Sequence, residues 1–371
     1  MPQSSRVMVD AVGIQGGGGR EVALDVVRAC LSEARISGIL LCSGDTELLG
    51  AFADRDSVRT LDLHHRGYAW RVAWWFGGAV KAAQRNRCSA ILHLANIAIG
   101  PSQGLPRGVM VHQPNALIKP NRRWLFDLRS LRYRILRHLI AKSAEQSDLV
   151  FVQTEAVAEA VRNLASHSEV AVAPPVTPSS LPPPSTAARS SATTHRRILY
   201  IGSDAPHKNV GLLRETNRCF RDEMSGGRFV LSLHSPAGPT PGLDYLGPLD
   251  RQQVADELER ASALVMPSFE ETAGLPMLEA LQRGVPVLAA DRPYARAICG
   301  NAALYFDPKD AASLAAVCKL IINDESHRQD LIEAGRVRLG EIEARRGDKA
   351  MASWLALAAT APRGTGRHGG S

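Results

Sequence analysis

The chain has 371 residues, 22% charged and 5% aromatic, with a formal net charge of +7. Its length exceeds the roughly 250–300 residues at which one hydrophobic core stops growing, so two domains are expected. Six cysteines (Cys30, Cys42, Cys88, Cys219, Cys299 and Cys318) are scattered without a CxxC pair, which argues against a zinc site or a disulfide framework and suits small core residues of a reducing compartment. The N-terminus has no apolar h-region after a basic start, and no stretch approaches about 18 uninterrupted apolar residues, so a cytoplasmic protein with neither signal peptide nor transmembrane span is expected.

In chain order, "RVMVDAVGI" reads as a strand, followed by a helix from about Arg20. Between them lie Gly16 to Gly19, without the spaced G-x-G-x-x-G fingerprint and without an acidic residue ending the second strand, so a loop kept small for close approach of a ligand is favoured over a dinucleotide site. "GILLCSG", "AILHLA", "GVMVHQ" and "DLVFVQT" read as further strands alternating with helical patterns, the last before "EAVAEAVRNLA". Asp54-Arg55-Asp56, just before a third strand, spells the DxD used by metal-dependent transferases of another fold; far from the second domain, it reads as a solvated turn, and no metal or other cofactor is expected.

"APPVTPSSLPPPSTAARSSATTHRR", rich in Pro, Ser, Thr and Ala, reads as a linker. The alternation then resumes with "RILYIGS", the helix "VGLLRETNRCFRDEM", "FVLSLHS", "ALVMPS", "VPVLAAD" and "AALYFDP". Continuous apolar strands separated by helices predict parallel sheets covered on both faces. The fold expected is therefore α/β, two Rossmann-like domains facing a central cleft: residues 1–172, a linker at 173–196, and residues 197–345. Residues 346–371 hold a further helix, for which a return to the first domain is one option, and a tail, "PRGTGRHGGS", expected to be disordered.

Ligands in open parallel sheets bind beyond the carboxyl ends of the strands. "RILYIGSDAPHKNVGLL" runs strand, Gly202, loop, Lys208-Asn209, helix; a glycine at the strand end lets a ligand approach the backbone, and with the free N–H groups of a helix start and the Lys208 charge it suits a phosphate. In "SFEETAGLPMLEAL", Glu271 stands in the loop after a buried-looking strand, Gly274 allows a tight turn, Pro276 fits the first helical turn, and Glu279 lies about one turn inside the helix. Two carboxylates beside outward-pointing amides suit a ligand with a phosphate and several hydroxyls, as in a nucleotide sugar. The alternative is a helix start decorated with dipole-favoured acids.

These motifs, with "PSFEETAGLPMLEALQRGVPVLAAD" extending the second and "YLGPLDRQQVADELERASALVMPS" lying between them, resemble the donor domain of retaining glycosyltransferases of family 4, which have the GT-B fold. The resemblance covers nearly all of 197–335 and thins over 1–172. It implies metal-independent, retaining transfer of a sugar from a nucleotide diphosphate. It also implies roles for single residues: Glu271 contacts donor-sugar hydroxyls, Glu279 binds the ribose, the backbone of Ala273, Gly274 and Leu275 meets the donor, and Lys208 meets the diphosphate. Two departures stand out. Many members place Arg after the strand glycine, where this chain has Ser203, leaving Lys208 to carry more charge with help from Gly17 and Gly18. In "GVMVHQPN", His112 matches a histidine near the reacting carbon, but Gln113 follows it where Asp is common. The paired-carboxylate pattern of glycoside hydrolases is a competing reading of Glu271 and Glu279, and their link to a phosphate-type loop favours a transferase.

Between Thr60 and Lys142 there are fourteen Lys or Arg against two acids, Asp62 and Asp127. The run 119–142 interleaves Arg122, Arg123, Arg129, Arg132, Arg134 and Arg137 with apolar residues that include Trp124 and Phe126, and Trp70, Trp74 and Trp75 lie upstream. A basic amphipathic helix with aromatics reads as a membrane-surface or acceptor-binding segment, against the plainer reading of a helix with a core face and solvated arginines. No DNA or RNA motif accompanies the charge, so nucleic acid is not an expected partner. The function expected is transfer of a hexose, with mannose from GDP-mannose weakly favoured, to a saccharide or lipid-linked saccharide in lipopolysaccharide or other cell-surface polysaccharide synthesis, by a protein peripheral on the inner membrane face. The alternative is a non-catalytic nucleotide-sugar or polyanion binder on the same fold.

Overall fold

The structure is a computed structural model that describes residues 5–14, 17–64, 66–112, 117, 128–174, 181–185, 196–224, 226–235, 238–271, 274–344 and 346–361. The chain divides into two compact units, one made of Met1–Val176 with Arg346–Ser371 and the other of Thr177–Arg345.

The first unit holds a seven-stranded sheet of β1 (Ser5–Asp10), β2 (Ile36–Ser43), β3 (Val58–Asp62), β4 (Ile91–His93), β5 (Arg107–Val111), β6 (Leu149–Val152) and β7 (Val170–Val172). Its order is β3-β2-β1-β4-β5-β6-β7, and every pairing is parallel. The second unit holds β8 (Arg197–Tyr200), β9 (Arg228–Leu231), β10 (Leu243–Tyr245), β11 (Ala263–Met266), β12 (Val287–Ala290) and β13 (Ala303–Phe306), in the order β10-β9-β8-β11-β12-β13, again all parallel. Runs such as Ala263–Met266 and Val287–Ala290 are buried along their whole length because helices cover both faces, which is why they read as unbroken apolar stretches and not as alternating ones.

The strand order reverses direction between β1 and β4 in the first unit and between β8 and β11 in the second. At such a switch the loops leaving the two neighbouring strands run to opposite sides and open a crevice at their carboxyl ends. Each unit therefore has one position that its topology prepares for a ligand.

Part of the Pro-rich stretch is docked and does not behave as a bare linker. Ser185 donates its backbone N–H to Asp256 Oδ1 at 2.7 Å and its hydroxyl to Oδ2 at 2.7 Å, and Gln252 donates to the Pro183 carbonyl at 3.1 Å. The helix Gly347–Thr360 packs on the helix Gly17–Ser32 and on β1, with Met351, Ala352 and Leu355 in the core of the first unit. Trp354 meets Phe151 edge-on at 5.8 Å. The tail 362–371 lies outside the described residues.

Where those two helices meet, two carboxylates are buried: Asp25 at 6% exposure and Asp348 at 2%. Desolvation, with smaller contributions from Asp348 and Glu21, pushes the Asp25 carboxyl up to about 6 against the opposing pull of Arg28. Arg346 pairs with Asp348 at 2.8 Å. A carboxyl that binds its proton more tightly folded than unfolded favours the fold while protonated, so its contribution is complete below about pH 4 and is lost as pH rises through about 6. Asp25→Asn removes the charge at nearly constant shape. It is expected to gain on the order of 2–3 kcal/mol over the wild type at pH 7 and nothing at pH 4, as read by urea unfolding at both values.

Candidate functional site

In the second unit the chain leaves β8 at Tyr200, passes Gly202, and forms a single 3-10 turn at Pro206–Lys208 before the helix Val210–Phe220. Asn209 takes the left-handed backbone conformation at φ 55° between turn and helix, and its side-chain amide donates to the carbonyls of Pro267 at 3.1 Å and Pro308 at 2.8 Å. It thereby ties the loop after β8 to the loop after β11. A second tie runs from the Phe269 N–H to the His207 carbonyl at 2.8 Å. The two loops at the switch point are held as one piece.

That piece carries Lys208 and Glu271. Lys208 Nζ donates to Glu271 Oε1 at 2.6 Å, and Ser268 Oγ donates to the same oxygen at 2.8 Å. The side chains are 19% and 10% exposed, so the pair is largely withdrawn from water while still reachable. Ser268 is fully buried, and Tyr294 donates to its carbonyl at 2.8 Å. Arg292 likewise donates to the Phe269 carbonyl at 3.0 Å. Desolvation and then the Lys208 charge hold the pKa of neighbouring His207 below its usual value, against the opposing pull of Glu271.

Gly274 begins the helix Leu275–Gln282 at φ +55°, and a Cβ there would lie 2.5 Å from both Ile298 Cδ1 and Met277 Cε. The left-handed backbone calls for glycine, and the ends of the Ile298 and Met277 side chains would have to turn aside for any Cβ. Pro276 sits in the first helical turn, where its missing N–H costs nothing. Glu279, 3% exposed, accepts from Arg251 Nη1 at 2.7 Å, the arginine standing at the start of the helix Arg251–Arg260. Glu271 and Glu279 thus have separate cationic partners. Ala273 lies outside the described residues.

The glycine after β8 has a different use from the one expected. A Cβ at Gly202 would lie 2.6 Å from the Tyr200 hydroxyl, which donates to the Ser203 carbonyl at 2.8 Å, so the missing side chain makes room for Tyr200. Ser203 itself is exposed.

In the first unit, Gly17 and Gly18 open the helix Gly17–Ser32. At the switch point, Asp10 and His93 end β1 and β4 as directly paired neighbours. Asp10 Oδ2 meets His93 Nδ1 at 2.7 Å, and the Asp10 carboxylate also accepts from Trp74 Nε1 and the Val12 N–H. His93 Nε2 is buried without a partner among the described residues. His112 follows the end of β5, half-buried, where Asn96 holds it; desolvation pushes its pKa down to about 4. It is a neutral imidazole at physiological pH.

Of the basic run, Arg122, Arg123 and Trp124 lie outside the described residues, and Arg129 and Arg132 lie on the helix Leu128–Glu145. Arg137 is engaged within the unit, donating to the Leu117 carbonyl at 2.8 Å, whereas Arg134, Ile135 and His138 are exposed. Asp54 and Asp56 are exposed ahead of β3. Among the described residues no group of three or more His, Cys, Asp or Glu is placed to hold a metal ion, and no helix is long and apolar enough to cross a membrane.

Residues 235–338 match a family described as glycosyl transferases group 1. The likeness is to glycosyltransferases. The matched stretch takes in Glu271, Gly274, Leu275 and Glu279 and begins after Lys208. The O-antigen chain mannosyltransferase B of Escherichia coli is 33% identical over 144 residues, 35% of this chain and 38% of that protein's length. Sucrose-phosphate synthase from Thermosynechococcus elongatus superposes with a TM-score of 0.70 at 17% identity, over 95% of this chain and 97% of that one. Anabaena HepE, solved in complex with UDP and glucose, gives 0.67 at 15% identity over 95% and 98%. At these identities the structures establish the fold: two parallel-sheet α/β domains of the GT-B type.

Gly274→Ala forces a side chain into the left-handed region and against Ile298 and Met277. A loss of about 1–3 kcal/mol in unfolding free energy is expected from urea denaturation. A variant as stable as the wild type would show that the turn is not held as described.

Proposed function

We propose that this protein is a retaining glycosyltransferase of family 4 that moves a hexose from a nucleotide diphosphate to a saccharide acceptor, itself lipid-linked, in cell-surface polysaccharide synthesis. The observation that carries the reading is the Lys208–Glu271 pair at the switch point of the second unit, a phosphate-type cation and a hydroxyl-binding carboxylate held 2.6 Å apart at the start of two helices. The family match over 235–338 supports transfer, the name of the Escherichia coli relative supports a mannosyl donor such as GDP-mannose and an O-antigen type of product, and the UDP and glucose bound to HepE support a nucleotide-diphosphate donor.

In this reading Lys208 and the free N–H groups of the helix starts neutralise charge on the leaving diphosphate, as preorganised donors do in a site poor in water. Glu271 accepts from hydroxyls of the donor sugar and Glu279 from the ribose, with the backbone around Ala273, Gly274 and Leu275 against the donor. His112 contributes a hydrogen bond at the reacting sugar. The acceptor hydroxyl oxygen bonds to the anomeric carbon on the leaving-group face as the carbon–oxygen bond to phosphate breaks, and the departing phosphate takes the hydroxyl proton. No metal ion and no protein nucleophile takes part.

Glu279→Ala is expected to weaken nucleotide binding by about 1.5–3 kcal/mol, the cost of a lost charge-assisted bond. Glu271→Gln removes the residue that competes with phosphate for Lys208, so affinity for UDP or GDP should hold or rise while sugar transfer falls. Calorimetric titration and a transfer assay, both repeated in EDTA, check these outcomes. Wild-type nucleotide affinity and turnover in both variants would contradict the assignment, and activity lost in EDTA and restored by magnesium or manganese would contradict metal independence.

The basic run at 119–142 supports attachment to an anionic leaflet, where each Lys or Arg contributes on the order of 1 kcal/mol and Trp124 and Phe126 add apolar insertion. Because Arg137 is committed to the Leu117 carbonyl, the test variant replaces Arg122, Arg123, Arg129 and Arg132 by glutamine. Its co-sedimentation with anionic vesicles should fall well below that of the wild type at low salt. Equal sedimentation, or binding indifferent to lipid charge, would return the segment to an ordinary solvated helix.

A further inference from the structure

His112 is held by one residue through two contacts. Asn96, 6% exposed, stands in the loop after β4 with a left-handed backbone at φ 65°, its own N–H donated to the Met110 carbonyl at 3.1 Å. Its Oδ1 accepts the backbone N–H of His112 at 2.7 Å, and its Nδ2 lies 3.4 Å from His112 Nε2. The first contact fixes the orientation of the amide, because a backbone N–H must end on an acceptor and only the oxygen of the side chain is one. The NH2 group is therefore the end that faces the ring. It can only donate, so the ring nitrogen opposite it must be an unprotonated acceptor.

At 3.4 Å this bond is long and weak, but its sign is clear, since a proton on Nε2 would point at the hydrogens of the amide. Two forms of the ring carry a proton there, the Nε2–H tautomer and the imidazolium, and the amide disfavours both. Desolvation of the ring independently opposes the imidazolium. Which nitrogen of a histidine carries the proton is set by the partner of the other.

We infer that Asn96 is a positioning residue that fixes His112 as the neutral Nδ1–H tautomer, so that the ring offers a ligand oxygen a hydrogen-bond donor and not a base. The ligand half of this inference rests on the proposed function, in which that oxygen belongs to the donor sugar; the tautomer does not depend on it. The proton of the acceptor hydroxyl then meets a nitrogen that is already protonated, the basic Nε2 being turned to the Asn96 amide, in keeping with its transfer to the departing phosphate.

The test uses the full chain labelled with 15N-histidine, the His112 signals being those lost in His112→Gln. Between pH 6 and 8 the wild type should show a protonated Nδ1, an unprotonated Nε2 and no titration. An Nε2–H ring, or an imidazolium in that range, overturns the inference. Asn96→Gly removes the amide while keeping the left-handed backbone accessible. It should let the Nε2–H form appear, and Asn96→Asp, which sets a carboxylate against Nε2, should bring an imidazolium into the same range. An unchanged tautomer in Asn96→Gly would show that another group sets it, and would also overturn the inference.

The ligand half is read from the affinities for UDP-glucose or GDP-mannose relative to UDP or GDP. In Asn96→Gly the preference for the sugar-bearing nucleotide should fall several-fold, up to about tenfold, with the affinity for the bare diphosphate unchanged. An unchanged preference after a switched tautomer removes His112 from the sugar. A wild type that binds none of the four nucleotides overturns the proposed function and leaves the spectroscopic result standing.

Discussion

The ion pair between Lys208 and Glu271 is the interaction on which the second unit's chemistry turns. On an open surface such a pair contributes little, because water screens it and two long side chains lose freedom. Here both partners are mostly covered, and Ser268 adds a second polar contact to the same carboxylate oxygen. The pair places opposite charges, suited to the two ends of one ligand, within a single hydrogen bond of each other. Glu271 keeps Lys208 from being a buried charge without a partner; in the function proposed for the site, phosphate oxygens would take over that role and release the carboxylate to the sugar.

The rest of the unit serves this juxtaposition. Parallel pairing of β8 with β11 sets the two loops side by side, the Asn209 amide and the Phe269–His207 backbone bond clamp them, and Gly274 turns the chain so that a helix starts beside Glu271. Glu279 is treated differently: Arg251 reaches it from another helix and gives the almost fully buried carboxylate a cationic partner of its own. In the first unit the corresponding switch point holds Asp10, His93 and Trp74, a hydrogen-bonded cluster closed off from solvent.

Much of the fold was legible because strands buried on both faces leave continuous apolar runs, and these alternate with helical patterns. β7 and β10 escaped that reading: each has three residues, and β7 is only half-buried, so neither builds a run. Lys208 and Glu271 were visible as charges in strand-to-helix turns, and Glu279 as an acid one turn inside the helix that follows. Arg251 was not, because it meets Glu279, 28 residues further on, through the packing of two helices, which leaves no local pattern. Asp10 and His93 were hidden inside apolar runs that read simply as strands, although an acid closing "VMVD" was a visible oddity. Gly202 shows the opposite failure: a glycine at a strand end suggested room for a ligand, and the space belongs to Tyr200.

The central claim is that Lys208 is the cation for a diphosphate. Calorimetric titration of the wild type and Lys208→Met with UDP, GDP, UMP and GMP tests it most directly. The account predicts that the substitution weakens the diphosphates by about tenfold or more, the worth of a charge-assisted hydrogen bond, while the monophosphates change little. Equal losses for mono- and diphosphates, or diphosphate affinity untouched by the loss of Lys208, would contradict it.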